Sequence, residues 1–156
     1  LEVKQSVFAT LEAMVRSDCI LASNTSSLSI AAIAAKAQDA SRVAGFHFFN
    51  PVPLMRLVEV IDGIRTAPWV AATLMEVGKR MGRVPVHVKD APGFLVNQIG
   101  RGYTIESAHL LDEGIASPAD SDEFGVGPHH GGFHPRDRVS GADTSVVGHL
   151  RDVVGN

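Results

Sequence analysis

Residues 43–63 read VAGFHFFNPVPLMRLVEVIDG, and this stretch decides the fold. Val43 to Phe48 is a short apolar run with one histidine, His47, near its end. Asn50-Pro51-Val52-Pro53 breaks the run, because proline fixes φ and removes a backbone donor. Leu57 to Ile61 then forms a second apolar run, closed by Asp62-Gly63. Short apolar runs bounded by turn residues read as buried strands. Outward from this pair, helical periods alternate with further strands. Upstream, Ile30 to Ala35 reads as a helix behind Asn24-Thr25-Ser26-Ser27, a cluster of preferred N-cap residues, and Cys19 to Ala22 reads as a strand. Val7, Leu11, Met14 and Val15 share helical spacing, ended by Ser17-Asp18. Downstream, Pro68 opens a helix with Val70, Leu74, Val77 and Met81 on one stripe and Gly82 at its stop. Val84 to Val88 is a strand, after which Asp90 is expected to cap a long helix from about Pro92 to Glu113.

Strand–helix–strand alternation predicts an α/β fold with a largely parallel sheet. The order starts on a helix, in the middle of an α/β unit. No G-x-G-x-x-G occurs in the 156 residues, so the phosphate-binding turn of a complete dinucleotide fold is absent from this chain.

Composition excludes several classes of function. With 14 basic against 17 acidic residues and a net charge of −3, there is no cationic excess to bind nucleic acid or a membrane surface. No stretch approaches the ~18 uncharged apolar residues of a membrane-spanning helix. The single cysteine, Cys19, excludes an internal disulfide framework and a thiolate metal cluster. It fits a reducing compartment, and a cytoplasmic location is expected. Leu1 is not a start residue, which suggests a fragment. The last 36 residues hold 7 of the 15 glycines and 4 of the 7 histidines without a sustained apolar period, so residues 121–156 are expected to be disordered. His130 and His134 stand four apart there, but the glycines between them argue against a helix that would present both to a metal, and no metal site is expected.

Four side chains could carry chemistry. His47 sits at the end of an apolar strand, where α/β folds place ligand-contacting residues. A core histidine satisfied by backbone is the plainer alternative. Strand alternation puts Glu59 on the face of Leu57 and Ile61, so if that face is buried its carboxylate needs a partner. An edge glutamate facing water is the alternative. Together the two have a chemical logic: a carboxylate on one imidazole nitrogen fixes the tautomer and leaves the other nitrogen as a general base. Ser26, with Asn24, lies beyond a strand's C-terminal end, where a hydroxyl can meet a ligand or simply cap a helix. Asn97 lies near the second turn of the long helix, and an amide in a helix body is usually solvated.

Asn24-Thr25-Ser26-Ser27-Leu28, Gly45 to Pro53 with Leu57 to Ile61, and Lys89 to Asn97 together resemble the L-3-hydroxyacyl-CoA dehydrogenases. Order and spacing agree as well, with 21 residues from Ser26 to His47, 12 on to Glu59 and 50 from His47 to Asn97. The resemblance covers about residues 1–120. It implies the second part of a Rossmann-type NAD-binding domain over 1–90, followed over 91–120 by the first long helix of an all-α C-terminal domain, with 121–156 a tail unlike the family. It further implies that His47 is the catalytic base and Glu59 the carboxylate that orients it. Ser26 matches a serine contacting both nicotinamide and the substrate's 3-oxygen, and Asn97 a substrate-binding asparagine. Lys4 and Asn50 match cofactor-contacting positions. NAD is the implied cofactor, an acyl-CoA the substrate and a homodimer the parent assembly, its dimer helices missing here. Gln98 departs from the family, which often has arginine after the binding asparagine. The implied reaction oxidises an L-3-hydroxyacyl-CoA to the 3-oxoacyl-CoA, with this chain truncated and inactive alone. A non-catalytic module that keeps half of the fold is the alternative of a different class. A related dehydrogenase acting on a free hydroxy acid is a third reading, which the HFFNPVP segment with Asn97 downstream disfavours.

Overall fold

A computed structural model describes residues 1–115 and 117. In chain order the elements are α1 (Glu2–Met14), β1 (Leu21–Ser23), α2 (Ile30–Ala34), a 3₁₀ turn (Ala40–Arg42), β2 (Val43–Phe48), β3 (Leu57–Asp62), α3 (Pro68–Arg80), β4 (Val84–Lys89) and α4 (Val96–Asp112). Residues 1–99 form one compact unit, and a second begins at Gly100. The expected disordered tail and its histidines lie outside the described residues.

The four strands form one sheet in the order β1-β2-β3-β4. β1 pairs with β2, and β3 with β4, in parallel, whereas β2 and β3 are antiparallel. The sheet is therefore mixed rather than largely parallel. The cause is local: residues 49–56 contain no crossover helix, and a parallel return needs one. Strand alternation then sorts the core between two faces. Phe8, Leu21, Ile30, Ile33, Val43 and Ile61 pack on the α1/α2 side, while Ala44, Val60, Val70, Ala71 and Leu74 pack on the α3 side. Gly45 belongs to the crowded first face, where an added Cβ would stand 2.7 Å from Ile61 Cδ1 and 2.9 Å from Ile30 Cδ1. Gly45→Ala is expected to cost about 1–3 kcal/mol by overpacking, read from the urea midpoint. A neutral result would mean that Ile30 and Ile61 repack freely.

Three local expectations are corrected. Of the four apolar residues at helical spacing, Val7, Leu11 and Met14 face outward, with exposures of 48%, 40% and 77%, and only Val15, just past the helix, packs against the core. α1 instead buries Gln5, Phe8 and Glu12, because the two polar side chains find partners. Gln5 Nε2 donates to the Ala32 carbonyl at 2.8 Å, and the Glu12 carboxylate accepts from the Gln38 and Asp39 amides at 2.7 and 2.8 Å. Next, α2 is capped by Ser29, whose Oγ accepts from Ala32 N, and not by the Asn24–Ser27 cluster. Lastly, Asp90 does not cap α4: its Oδ2 accepts from Ser29 Oγ at 2.7 Å and Ala31 N at 2.8 Å, and α4 starts later, at Val96.

Glu12 also pairs with the buried Arg42, its Oε1 3.2 Å from Nη2. Burial alone would raise the Glu12 carboxyl, but the Asp39 and Gln38 amides and the Arg42 guanidinium outweigh it and hold the group below the ordinary glutamate range. A depressed folded value means stabilisation that is complete above the unfolded value and lost as pH falls through the folded one. Stability is therefore expected to fall as pH drops below about 4.3, and Glu12→Gln to flatten that part of the profile while lowering stability at neutral pH by leaving Arg42 unpaired. Urea midpoints of both chains across acid pH check this; parallel profiles would remove Glu12 from the acid response.

Candidate active site

The antiparallel register of β2 and β3 places His47 directly opposite Glu59. Opposed residues on one face of such a pair have Cβ atoms about 4.5–5.5 Å apart, within reach of an imidazole and a carboxylate. The His47 Nδ1 and Glu59 Oε2 atoms are 2.7 Å apart. Glu59 is completely buried and His47 is 5% exposed. Burial of an ionisable side chain without partners would be costly, and Glu59 has them on every side. Its other oxygen, Oε1, accepts from Leu95 N at 3.1 Å and Val96 N at 2.9 Å. These are amides at the start of α4, which have no acceptor within the helix. A carboxylate from β3 thus caps α4, and the positive end of the helix dipole favours its charge.

A carboxylate only accepts, so this contact calls for the His47 tautomer with its hydrogen on Nδ1, directed at Oε2. Nε2 is left as the ring's free nitrogen. Two aromatic rings hold the imidazole in place, Phe49 at 4.5 Å and Phe94 at 5.9 Å between centroids.

Ser26 and Asn97 also meet. Asn97 Nδ2 donates to the Ser26 carbonyl at 3.2 Å, bringing the loop after β1 against the first turn of α4. Asn24 closes the same end of the sheet, its Oδ1 accepting from Phe48 N at 2.9 Å. Thr25 Oγ1 accepts from Leu28 N at 3.0 Å and shapes the loop that carries Ser26. Asn50 is exposed just beyond β2, while Lys4 is half-buried in the first turn of α1. Among the described residues, neither has a hydrogen bond to the other candidates. A depression of about 540 Å³ lined in part by Ser29, Asp62, Lys89 and Asp90 holds none of the candidates and lies at the far end of β3.

Reading the sequence missed the Leu95 and Val96 amides, which are backbone groups without a side-chain signature. The one local signal is Pro92-Gly93 ahead of the helix, which marks a turn before α4. It also missed the rings of Phe49 and Phe94. Among the described residues no helix is long and apolar enough to cross a membrane, and no group of three His, Cys, Asp or Glu side chains is placed to hold a metal.

The family described as "3-hydroxyacyl-CoA dehydrogenase, NAD binding domain" matches residues 1–91. The chain is 43% identical over 135 residues to the 3-hydroxyadipyl-CoA dehydrogenase of Escherichia coli, covering 82% of this chain and 28% of that protein. It is 42% identical over 148 residues to the human mitochondrial hydroxyacyl-coenzyme A dehydrogenase, covering 93% and 47%. Among solved structures, the (S)-3-hydroxybutyryl-CoA dehydrogenase of Ralstonia eutropha superposes with a TM-score of 0.74 at 41% identity, covering 79% of this chain and 44% of that one. The chain spans less than half the length of these relatives.

Proposed function

Because the chain belongs to the 3-hydroxyacyl-CoA dehydrogenase family, we propose that it carries the proton-transfer machinery of an enzyme that oxidises an L-3-hydroxyacyl-CoA to the 3-oxoacyl-CoA with NAD. The observation that supports this best is the buried His47–Glu59 pair at 2.7 Å, which leaves one imidazole nitrogen free. Oxidising a secondary alcohol requires a proton to leave the hydroxyl as hydrogen and an electron pair leave the carbon. His47 Nε2 takes the proton, and Glu59 stabilises the ring that has gained it. NAD, when bound, would supply the acceptor for the hydride that leaves C3. The Ser26 hydroxyl contacts the 3-oxygen, and the Nδ2 hydrogen of Asn97 that the Ser26 carbonyl does not use polarises the 3-oxygen or the thioester carbonyl.

The residues present fit the nicotinamide end of the cofactor. His47 Nε2, Ser26 Oγ and Asn97 Oδ1 have no protein partner among the described residues, so a donor and two acceptors stay available to a ligand. Asn50 and Lys4 would add cofactor contacts. The pyrophosphate end is different, since this chain contains no glycine-rich turn to receive it. An acyl-CoA substrate and a homodimeric parent enzyme are carried over from the family. The free thiol of Cys19 suits a reducing compartment such as the cytoplasm.

In this reading the isolated 156-residue chain does not turn over substrate. Ser26, Asn50 and Lys4 would contribute about 0.5–1.5 kcal/mol net per hydrogen bond. Association costs on the order of 4–15 kcal/mol, more than these contacts return. Calorimetric titration with NAD tests the proposal. The isolated chain is expected to bind more weakly than micromolar. A chimera with residues 1–97 in place of the matching segment of the Ralstonia eutropha enzyme is expected to bind NAD as that enzyme does. Micromolar binding by the isolated chain would overturn its expected inactivity alone, and no binding by the folded chimera would overturn the proposed NAD-dependent function.

A further inference from the structure

Between β4 and α4 the backbone enters the left-handed region twice in succession, at Gly93 with φ +77° and at Phe94 with φ +50°. Glycine adopts such a φ at no steric cost, whereas a residue as bulky as phenylalanine rarely does. Its presence there calls for something that holds it. Phe94 is 3% exposed and belongs to the core cluster with Leu21, Ile30, Val43 and Ile61, so its ring is embedded in the α1/α2 face of the sheet. Its own amide donates to the Ala91 carbonyl at 2.9 Å, closing the turn.

The two residues that leave this turn are Leu95 and Val96, whose amides converge on the single oxygen Oε1 of Glu59. Successive amides turned toward one point make a concave anion site, and a left-handed residue is the usual way to turn them. Both ends of the segment are tied down as well, Asp90 by Ser29 and Ala31 and Asn97 by Ser26. The other Glu59 oxygen holds His47 Nδ1. A chain of contacts therefore runs from the Phe94 ring through the turn and the carboxylate to the imidazole.

We infer that the left-handed Gly93–Phe94 turn is a positioning device for the base, with the buried Phe94 ring as its anchor: it aims the Leu95 and Val96 amides at Glu59 and, through that carboxylate, sets the tautomer and orientation of His47. The inference rests on the proposed role of His47, but its test needs neither cofactor nor turnover, so the two fail separately. A chimera without activity would sink the proposed function and leave the turn's effect on His47 intact.

Nitrogen-15 NMR of the 156-residue chain tests it. In the parent chain the Leu95 and Val96 amides are expected to exchange about a hundredfold or more slowly than amides of exposed loops, and His47 is expected in the single tautomer protonated at Nδ1. Phe94→Ala is expected to speed exchange at both amides about tenfold or more relative to Val60 and Ile61 and to divide His47 between tautomers. Phe94→Leu, which keeps an apolar anchor, restores both signals. Gly93→Ala leaves the ring in the core but opposes the left-handed backbone, and the same two changes are expected. A folded Phe94→Ala or Gly93→Ala chain with the parental exchange and the parental tautomer would overturn the inference. So would free exchange of the two amides in the parent chain, whether or not either variant folds.

Discussion

His47→Gln in the Ralstonia chimera is expected to lower turnover by roughly 10²–10⁴ while leaving NAD affinity nearly unchanged. Glutamine keeps a polar group of similar reach but has no nitrogen that takes up a proton near neutral pH. The 3-hydroxyl proton then has no acceptor at the moment the C–H bond breaks, so the loss falls on the chemical step and not on binding. Turnover at saturating substrate, beside a calorimetric NAD titration, separates the two effects. An unchanged rate would remove His47 from proton transfer. Equal losses in rate and cofactor affinity would make it a residue that shapes the cofactor pocket.

Glu59→Ala is expected to destabilise the isolated chain by roughly 3–5 kcal/mol, a large share of what a domain of this size has. Three donors lose their acceptor at once: the His47 Nδ1–H and the amides of Leu95 and Val96. All three pointed at a side chain with no exposure, so the deletion also leaves a cavity. Glu59→Gln is the contrasting change. Its carbonyl oxygen can still accept the two amides, so most of the stability is kept. Its NH₂ faces Nδ1 and drives the proton to Nε2, which abolishes the base. Urea unfolding of the three chains checks the order: Glu59 most stable, Gln intermediate, Ala lowest. A loss of under about 1 kcal/mol for Glu59→Ala would mean that water takes the carboxylate's place and that the pair is not dry.

The sequence shows β2, β3, β4 and α3 almost to the residue, because their apolar runs and periods are bounded by proline, glycine and aspartate. The pairing of Glu59 with His47 is only half visible. Alternation puts Glu59 on the face of Ile61, but the twelve-residue spacing does not say that the strands run antiparallel, and that direction makes the two side chains face each other. It comes from the proline-interrupted loop 49–56, which reverses the chain without a helix. At α1 the apolar period points to the wrong face, because Gln5 and Glu12 are buried on the strength of partners 27 and 26 residues away. The start of α4 is misplaced for a related reason. Its cap is neither a neighbour nor an N-cap side chain but Glu59, some 36 residues earlier on another strand. At α1 and at the start of α4 a long-range polar contact overrides a local pattern, and the second of these contacts is made by the carboxylate that holds His47.

The central claim is that Ser26, His47, Glu59 and Asn97 together form the proton-transfer side of a 3-hydroxyacyl-CoA dehydrogenase. NADH formation from L-3-hydroxybutyryl-CoA tests it most directly, followed with the Ralstonia chimera that carries residues 1–97 of this chain and with the isolated 156-residue chain. NADH is expected from the chimera at a rate within about tenfold of the parent Ralstonia enzyme, since the reacting groups are retained and only their surroundings change, and none is expected from the isolated chain. A folded chimera that binds NAD and forms no NADH would contradict the claim.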